Sequence, residues 1–330
     1  MSLRSVARAW NEFFFAPQPP QPVAVFRILY GLLIAANLVL LRPDWQTWFG
    51  PRALVTLQTQ RMLEPGPRIN VFTILPQTAF WTDIVFWVLL ACSLMLAIGF
   101  LTRANSIATW VLLASIHQRN LLITNSGDTI LRAVGFFLMF APAGAAYSVD
   151  RWLRRRRDKE GPEIAPRSPW AQRMIQIEVS LVYLMTFWNK SLGPAWIDGT
   201  ALHYVNHLDQ FRRFPVAAFF YDPLMVAAET WLTLAVEFAL GVLVWFKELR
   251  YKVLLAGVIL HLSLEYAMNV PLFQWIMLST FVAFVYPADV IRAVEWLRAR
   301  VPLQWPERAT AAALNSRLGT MAGYSSLRNK

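Results

Sequence analysis

Apolar positions along the chain come in long blocks, and polar positions punctuate the blocks instead of alternating with them. Pro22 to Leu41 (PVAVFRILYGLLIAANLVLL) carries one charge, Arg27. A helix of about 20 mostly apolar residues crosses ~30 Å of hydrocarbon, so this run reads as a first span. Comparable blocks occupy about 78–101, 105–124, 128–149, 174–192, 223–246, 252–270 and 272–287, each bounded by Pro, Gly, Asn or charges. The pattern predicts an all-α, polytopic transmembrane helical bundle of about eight spans. Two connections, 42–76 and 193–222, are long and rich in Pro, Gly and aromatic residues, the composition of ordered loops or short interfacial helices. They are expected to form an outer cap.

Before the first block, Met1 to Phe15 sets Arg4 and Arg8 among Leu3, Val6, Trp10, Phe13, Phe14 and Phe15 with no small-residue cleavage site. This reads as an amphipathic helix on the cytoplasmic face, covering 1–20. The membrane domain is expected at 21–290. Within it the basic, Pro-containing stretch 150–173 reads as a cytoplasmic linker between two sets of four spans. Residues 291–330 are expected to be a cytoplasmic helix followed by a disordered tail. No internal repeat is evident, which weakens a transporter reading.

Composition agrees with lipid burial: 56% of the residues are hydrophobic and 15% charged. Charge adds orientation. With the N-terminus inside, 21 of the 31 Lys and Arg residues fall in cytoplasmic segments and 6 in the outer ones (Arg42, Arg52, Arg61, Arg68, Arg212, Arg213). The positive-inside rule then favours both termini in the cytoplasm of a multi-pass cell (inner) membrane protein. The net charge of +11 is read as a topology signal and a contact with membrane lipids, and no nucleic-acid partner is expected. Cys92 is the lone cysteine and lies mid-span, so thiol redox chemistry is excluded.

Ionisable groups inside spans cost roughly 2.5–3.5 kcal/mol each on insertion scales, so each asks for a partner or a wet cavity. Arg27 can snorkel or function. In HQRNLLITNSGDTILR (117–132), Asp128 and Arg132 are spaced to pair at i, i+4. Asn125, Ser126 and Gly127 form a turn there that Asp128 would cap, and Arg119 and Asn120 add polarity at similar depth. The segment reads either as a salt-bridged turn or as a polar pocket wall. Gln176, Ser180, Tyr183, Phe187 and Lys190 recur along one helix face. Lys190 can snorkel to the interface or, partly desolvated, serve as a general base, since burial favours the neutral amine. His261 and Glu265 (i, i+4), and Glu229, Thr233 and Glu237 on one face, suit either a proton relay or interhelical hydrogen bonds. His203 and His207 resemble half of a metal site without a third ligand, and no metal is expected.

Several stretches, FRILYG, RNLLITNSGD, PAGAAYSVDRW, NKSLGPAWIDGT and ILHLSLEYAMNVPLFQWIML, resemble the bacterial horizontally transferred transmembrane (HTTM) family over roughly 20–290. Its eukaryotic relative is the vitamin K-dependent gamma-glutamyl carboxylase. There a lysine before a Trp-acid-Gly element deprotonates vitamin K hydroquinone. The resemblance implies Lys190 as that base, with Trp196, Asp198 and Gly199 completing the motif after a spacer one residue longer. The carboxylase's activity-linked histidine falls at Gly127, whereas the histidine of the last motif is retained as His261. No counterpart of the lumenal propeptide-binding domain fits in the chain.

The resemblance implies a carboxylase-like membrane protein, either a vitamin K-dependent carboxylase-like lyase or a quinone-dependent oxidoreductase. Its substrate would be a reduced, lipid-soluble quinone or a similar apolar molecule, acting with or on a peptide or protein substrate. The alternative is a non-catalytic membrane export or peptide-maturation factor. In the enzymatic reading Lys190 is catalytic and lines an outward-opening cavity. Arg119, Asn120, Asn125, Asp128, Arg132, Tyr183, Trp196, Asp198, His261 and Glu265 would form the rest of the pocket.

Overall fold

The computed structural model describes residues 3–300 apart from 64, 65, 67, 158–160 and 162, so the tail expected over 301–330 lies outside the described residues. The described chain is helical. In order it forms α1 (Leu3–Phe15), α2 (Gln21–Leu41), α3 (Trp45–Phe49), α4 (Leu57–Leu63), α5 (Ala79–Ile98), α6 (Thr102–Arg119), α7 (Ser126–Leu138), α8 (Val149–Arg156), α9 (Trp170–Ser191), α10 (Pro194–Ile197), α11 (Ala201–Asn206), α12 (Pro223–Gly241), α13 (Arg250–Ala267), α14 (Phe273–Phe281) and α15 (Pro287–Arg300). No strand occurs among the described residues, only the isolated bridges Gln18–Arg167 and Arg212–Met268. Two compact units are distinguished, Met1–Pro287 and Ala288–Lys330. In the second, Asp289 and Arg292 pair one turn apart.

Each apolar block carries a helix, but the blocks are not equal. Three helices are long and apolar enough to cross a membrane: Gln21–Phe49, Ala79–Ile98 and Pro223–Gly241. A fourth is added if Phe273–Phe284 and Pro287–Arg300 count as one interrupted span. The others differ for a physical reason. Hydropathy averages around a helix, and α6, α9 and α13 turn buried Arg119, Gln176 and His261 toward the protein. At 13 and 9 residues, α7 and α14 reach only about 20 and 14 Å at 1.5 Å per residue, short of the hydrocarbon thickness. Both lie within the bundle, where α14 packs against α2, α7, α9 and α13. The outward faces of the long helices carry exposed Leu32, Val39, Trp87, Leu94, Leu181, Trp188, Leu232 and Ile259, the inverse of a water-facing surface.

The motifs around Arg27 build a clamp. Its guanidinium is fully buried and donates to four carbonyls: Ala143 O (2.8 Å), Ala146 O (3.5 Å), Ala97 O (3.2 Å) and Tyr147 O (2.6 Å). It thereby ties α2 to the end of α5 and to the PAGAAY turn after α7. Asp150, at the start of α8, accepts from the backbone amides of Leu101 and Thr102 at 2.8 Å each and from the Thr102 hydroxyl at 2.6 Å. It caps α6 from a distant part of the chain, a carboxylate at a helix N-terminus. Ser148 caps α8 itself. The stretch 150–173 is therefore not a free polar linker where it is described: its first helix is docked, and Arg167 pairs its backbone with Gln18.

The two long connections, 42–76 and 193–222, are also ordered. In 42–76, Trp45, Phe49 and Phe72 enter the core, and the Trp45 indole donates to Thr82 O. In 193–222, the backbone of Arg213 donates to Ala267 O, and the Tyr266 hydroxyl donates to Pro215 O at 2.9 Å, so this loop lies on the end of α13.

Candidate functional site

The polar face of α9 meets α12 at Lys190. Its ammonium donates to Glu237 Oε1 at 2.5 Å and lies 4.6 Å from the centroid of the Trp196 ring. The Lys190 side chain is 26% exposed and that of Glu237 only 7%, so the cation reaches outward while the carboxylate is buried. Glu237 Oε2 is buried without a hydrogen-bond partner among the described residues. An anion in this position requires its lysine, because a buried unpaired carboxylate costs far more than a neutral group.

What brings Trp196 over Lys190 is the short helix α10 and the turn after it. Gly199 holds φ at +73°, and a Cβ there would stand 3.0 Å from both Ala227 Cβ and the Trp231 ring. The glycine of the Trp-acid-Gly element therefore lets the turn close onto α12, where the Trp231 indole donates to Ile197 O at 3.3 Å. Asp198 is exposed at the turn.

Two turns before Lys190 on the same helix, the Tyr183 hydroxyl stands 2.6 Å from His261 Nε2, and His261 Nδ1 stands 2.5 Å from Gln274 Oε1. An amide oxygen only accepts, so Nδ1 carries the proton, and in the neutral ring Nε2 accepts from Tyr183. Phe273 and Phe281 border the imidazole. Lys190 thus meets Trp196 and Glu237 at the end of α9, and Tyr183 meets His261 two turns earlier on the same helix.

The rest of the anticipated pocket is assembled differently. Arg119 donates to Val55 O (2.7 Å) and Gly50 O (3.2 Å), and Asn120 donates to Trp48 O (3.3 Å). Both are buried and serve the carbonyls of the first outer connection, which water cannot reach. Asn125 and Asp128 form a capping box on α7, with the Asn125 amide donating to Asp128 Oδ2 at 2.8 Å. The other oxygen of Asp128 faces buried His117 at 3.3 Å. The expected Asp128–Arg132 pair is consequently not formed: the carboxylate points back to the helix start, and Arg132 has no ion pair among the described residues. His261 and Glu265 do not pair either, because Glu265 binds Arg213 and accepts from the Trp275 indole at 3.2 Å. The rings of His203 on α11 and His207 just after it lie 4.4 Å apart, tilted by 40°, and the described residues contain no group of three or more potential metal ligands.

Gly127, the counterpart of the family histidine in the resemblance, packs against α14. A Cβ there would meet Ile276 Cδ1 at 3.0 Å and Phe273 Cδ2 at 3.3 Å. Phe273 in turn lies 6.4 Å from the His261 ring, centroid to centroid. Glu237, offered by the sequence with Glu229 and Thr233 as a proton relay or an interhelical hydrogen-bond partner, is the partner of Lys190. Gln274 and His117 were not singled out from sequence and carried no signal there, for their roles arise from neighbours far away in the chain.

The sequence profile of the HTTM domain family matches residues 15–288. No curated protein and no solved structure matches the chain.

Proposed function

The chain belongs to the HTTM domain family, and on that premise we propose that it is a membrane-embedded enzyme whose Lys190 acts as a general base on a lipid-soluble quinol or similar apolar substrate. The observation that carries this reading is the half-exposed ammonium paired with a buried carboxylate that keeps one oxygen unpartnered. The residues suit a quinol: an aromatic surface at Trp196, a nitrogen base, and a buried acceptor able to take a hydroxyl hydrogen bond. Such a group would supply reducing equivalents. In the pair, the proton between Nζ and Oε1 can rest on Glu237, leaving Lys190 as a free amine that accepts a proton from substrate. Tyr183, fixed by His261 and Gln274, positions a second hydroxyl nearby. The reaction class is a carboxylase-like lyase or a quinone-dependent oxidoreductase using dioxygen, with a peptide or protein as co-substrate in the former.

In the membrane, the proposed arrangement is eight crossings in the cell (inner) membrane with both termini cytoplasmic and 42–76 and 193–222 outside as a cap. The Lys and Arg distribution supports it, and the short α7 and α14 would cross together with their flanking turns.

A second reading is favoured by Gly127 itself: the resemblance places the carboxylase's activity-linked histidine there, and a Cβ at this position would press on Asn125 Oδ1 at 2.9 Å and Ile276 Cδ1 at 3.0 Å. In it the protein is a non-catalytic export or peptide-maturation factor. The experiment is oxidation of a reduced naphthoquinone by the purified protein in lipid nanodiscs under air, followed by absorbance. Turnover by the wild type that is lost in Lys190→Ala and reduced in Glu237→Gln, at a temperature where all three proteins remain folded, supports the enzyme. Equal rates in all three, or none in any, support the second reading.

A further inference from the structure

We propose that the protein holds an anionic phospholipid at the junction of α1, α9 and α13, with one acyl chain in a groove and the phosphate between Arg173 and Arg250. An apolar groove of about 350 Å³ runs between α9 and the end of α12, lined by Phe13, Ile177, Ser180, Leu181, Leu184 and Trp245. Its only polar lining side chain is already occupied, since the Ser180 hydroxyl accepts from the Trp245 indole at 3.0 Å. The groove therefore offers mainly hydrocarbon contact, which suits an alkyl chain.

Both guanidiniums are fastened to residues that line this groove. Arg173 donates through Nε to Phe13 O at 3.1 Å and lies 4.7 Å from the Phe13 ring, while Arg250 donates to Trp245 O at 3.5 Å and Val244 O at 3.1 Å. The rings of Phe13 and Trp245, whose carbonyls the two arginines hold, lie 5.8 Å apart, which sets both cations at one end of the groove. Both are half-buried, and both occupy the first turn of a helix, α9 and α13, where the dipole already favours anions.

No carboxylate offsets them among the described residues. Glu178 on α9 and Glu248 before α13 make no ion pair with either arginine, and Glu12 on α1 lines a separate surface depression. Two adjacent cations at two helix N-termini, left without a counter-ion beside an empty alkyl groove at the end of membrane helices, match the chemistry of a phosphate with an attached acyl chain. The planar fork of arginine suits phosphate oxygens. Arg173 also donates through Nη1 to Gln176 Oε1 at 3.0 Å, and the Arg250 guanidinium lies 4.5 Å from the Tyr286 ring, which leaves Nη2 of Arg173 and Nη1 of Arg250 for the phosphate.

The test uses the purified full chain and native mass spectrometry with phosphatidylglycerol and phosphatidylcholine of identical chains, alongside thermal melting. The wild type is expected to retain phosphatidylglycerol about tenfold or more over phosphatidylcholine, and Arg173→Gln/Arg250→Gln to lose that preference at a temperature where the lipid-free variant remains folded. If the double variant does not fold, each single substitution is expected to lower the preference severalfold. Leu181→Trp, which fills the groove from an exposed position, is expected to weaken retention of both lipids. Equal retention of the two lipids by the wild type, or an unchanged preference in the arginine variants, overturns the site. So does inorganic phosphate stabilising the protein as strongly as phosphatidylglycerol, since the groove would then contribute nothing.

Discussion

Nζ of Lys190 stands 2.5 Å from Oε1 of Glu237 across 47 residues of chain, joining α9 to α12 at the one place where both helices turn charge inward. The pair predicts an asymmetric mutational response. Lys190→Met leaves a buried carboxylate alone and is expected to cost about 2 kcal/mol, less than the 3–5 seen for fully buried pairs because the lysine is 26% exposed. The double substitution Lys190→Met/Glu237→Leu is expected to return to within about 1 kcal/mol of wild type. Denaturation in detergent micelles measures the cycle. Simple additivity of the two single losses would show that the residues do not interact.

Arg27 makes a prediction of the opposite kind, because removing it strands carbonyls instead of a charge. Arg27→Leu frees four acceptors on α5 and the turn after α7 and is expected to destabilise by about 3 kcal/mol or more. Arg27→Lys should recover less than half of that, since a compact ammonium cannot span carbonyls on separate segments. A thermal shift that separates the three proteins in this order confirms the clamp, while a Lys variant equal to wild type refutes it.

These two residues also show how far sequence reasoning reached. The apolar blocks located every long helix, and the stripe ending at Lys190 faces its partner as its spacing required. Of the two explanations open for a polar residue in a span, an interior partner or a wet cavity, Arg27, Arg119 and Asn120 take the first. They are polar because backbone carbonyls at helix ends and in the 42–56 connection need donors where water is absent. Local spacing misled at Asp128 and Glu265. An i, i+4 partner was available to each, yet capping geometry took Asp128, and Arg213 of the outer loop took Glu265. Which partner wins depends on how distant helices pack, and one strand of periodicity does not encode that.

Membrane orientation is testable with the chain's own chemistry, because Cys92 is its lone cysteine. In a Cys92→Ser background, Arg155→Cys on α8 is expected to react with an impermeant maleimide only after the cells are permeabilised. Arg52→Cys, on an exposed position of the first outer connection, is expected to react on intact spheroplasts. The reverse pattern would invert the topology, and labelling of both from one side would rule out an odd number of crossings between them. The prediction follows from the loop charges, as arginine-rich α8 resists translocation.

A histidine introduced at position 127, where the resemblance places the carboxylase's, tests how tightly α7 packs on α14. Gly127→His must displace Ile276 Cδ1 and Phe273 Cδ2, which stand 3.0 and 3.3 Å from where its Cβ would lie, and the imidazole extends several ångströms further into α14. Overpacking of this kind costs about 1–3 kcal/mol. The pressure falls on Phe273, which borders His261, so the Tyr183–His261 hydrogen bond should be disturbed as well. Ile276→Ala opens a cavity of its own and is destabilising alone, whereas Gly127→His/Ile276→Ala should be more stable than the sum of the two single losses predicts, because the new ring fills the space the isoleucine leaves. Melting temperatures of the four proteins form a closed cycle. A Gly127→His protein as stable as wild type would mean that the α7–α14 contact already has room for the ring, and the packing argument for the glycine would fall with it.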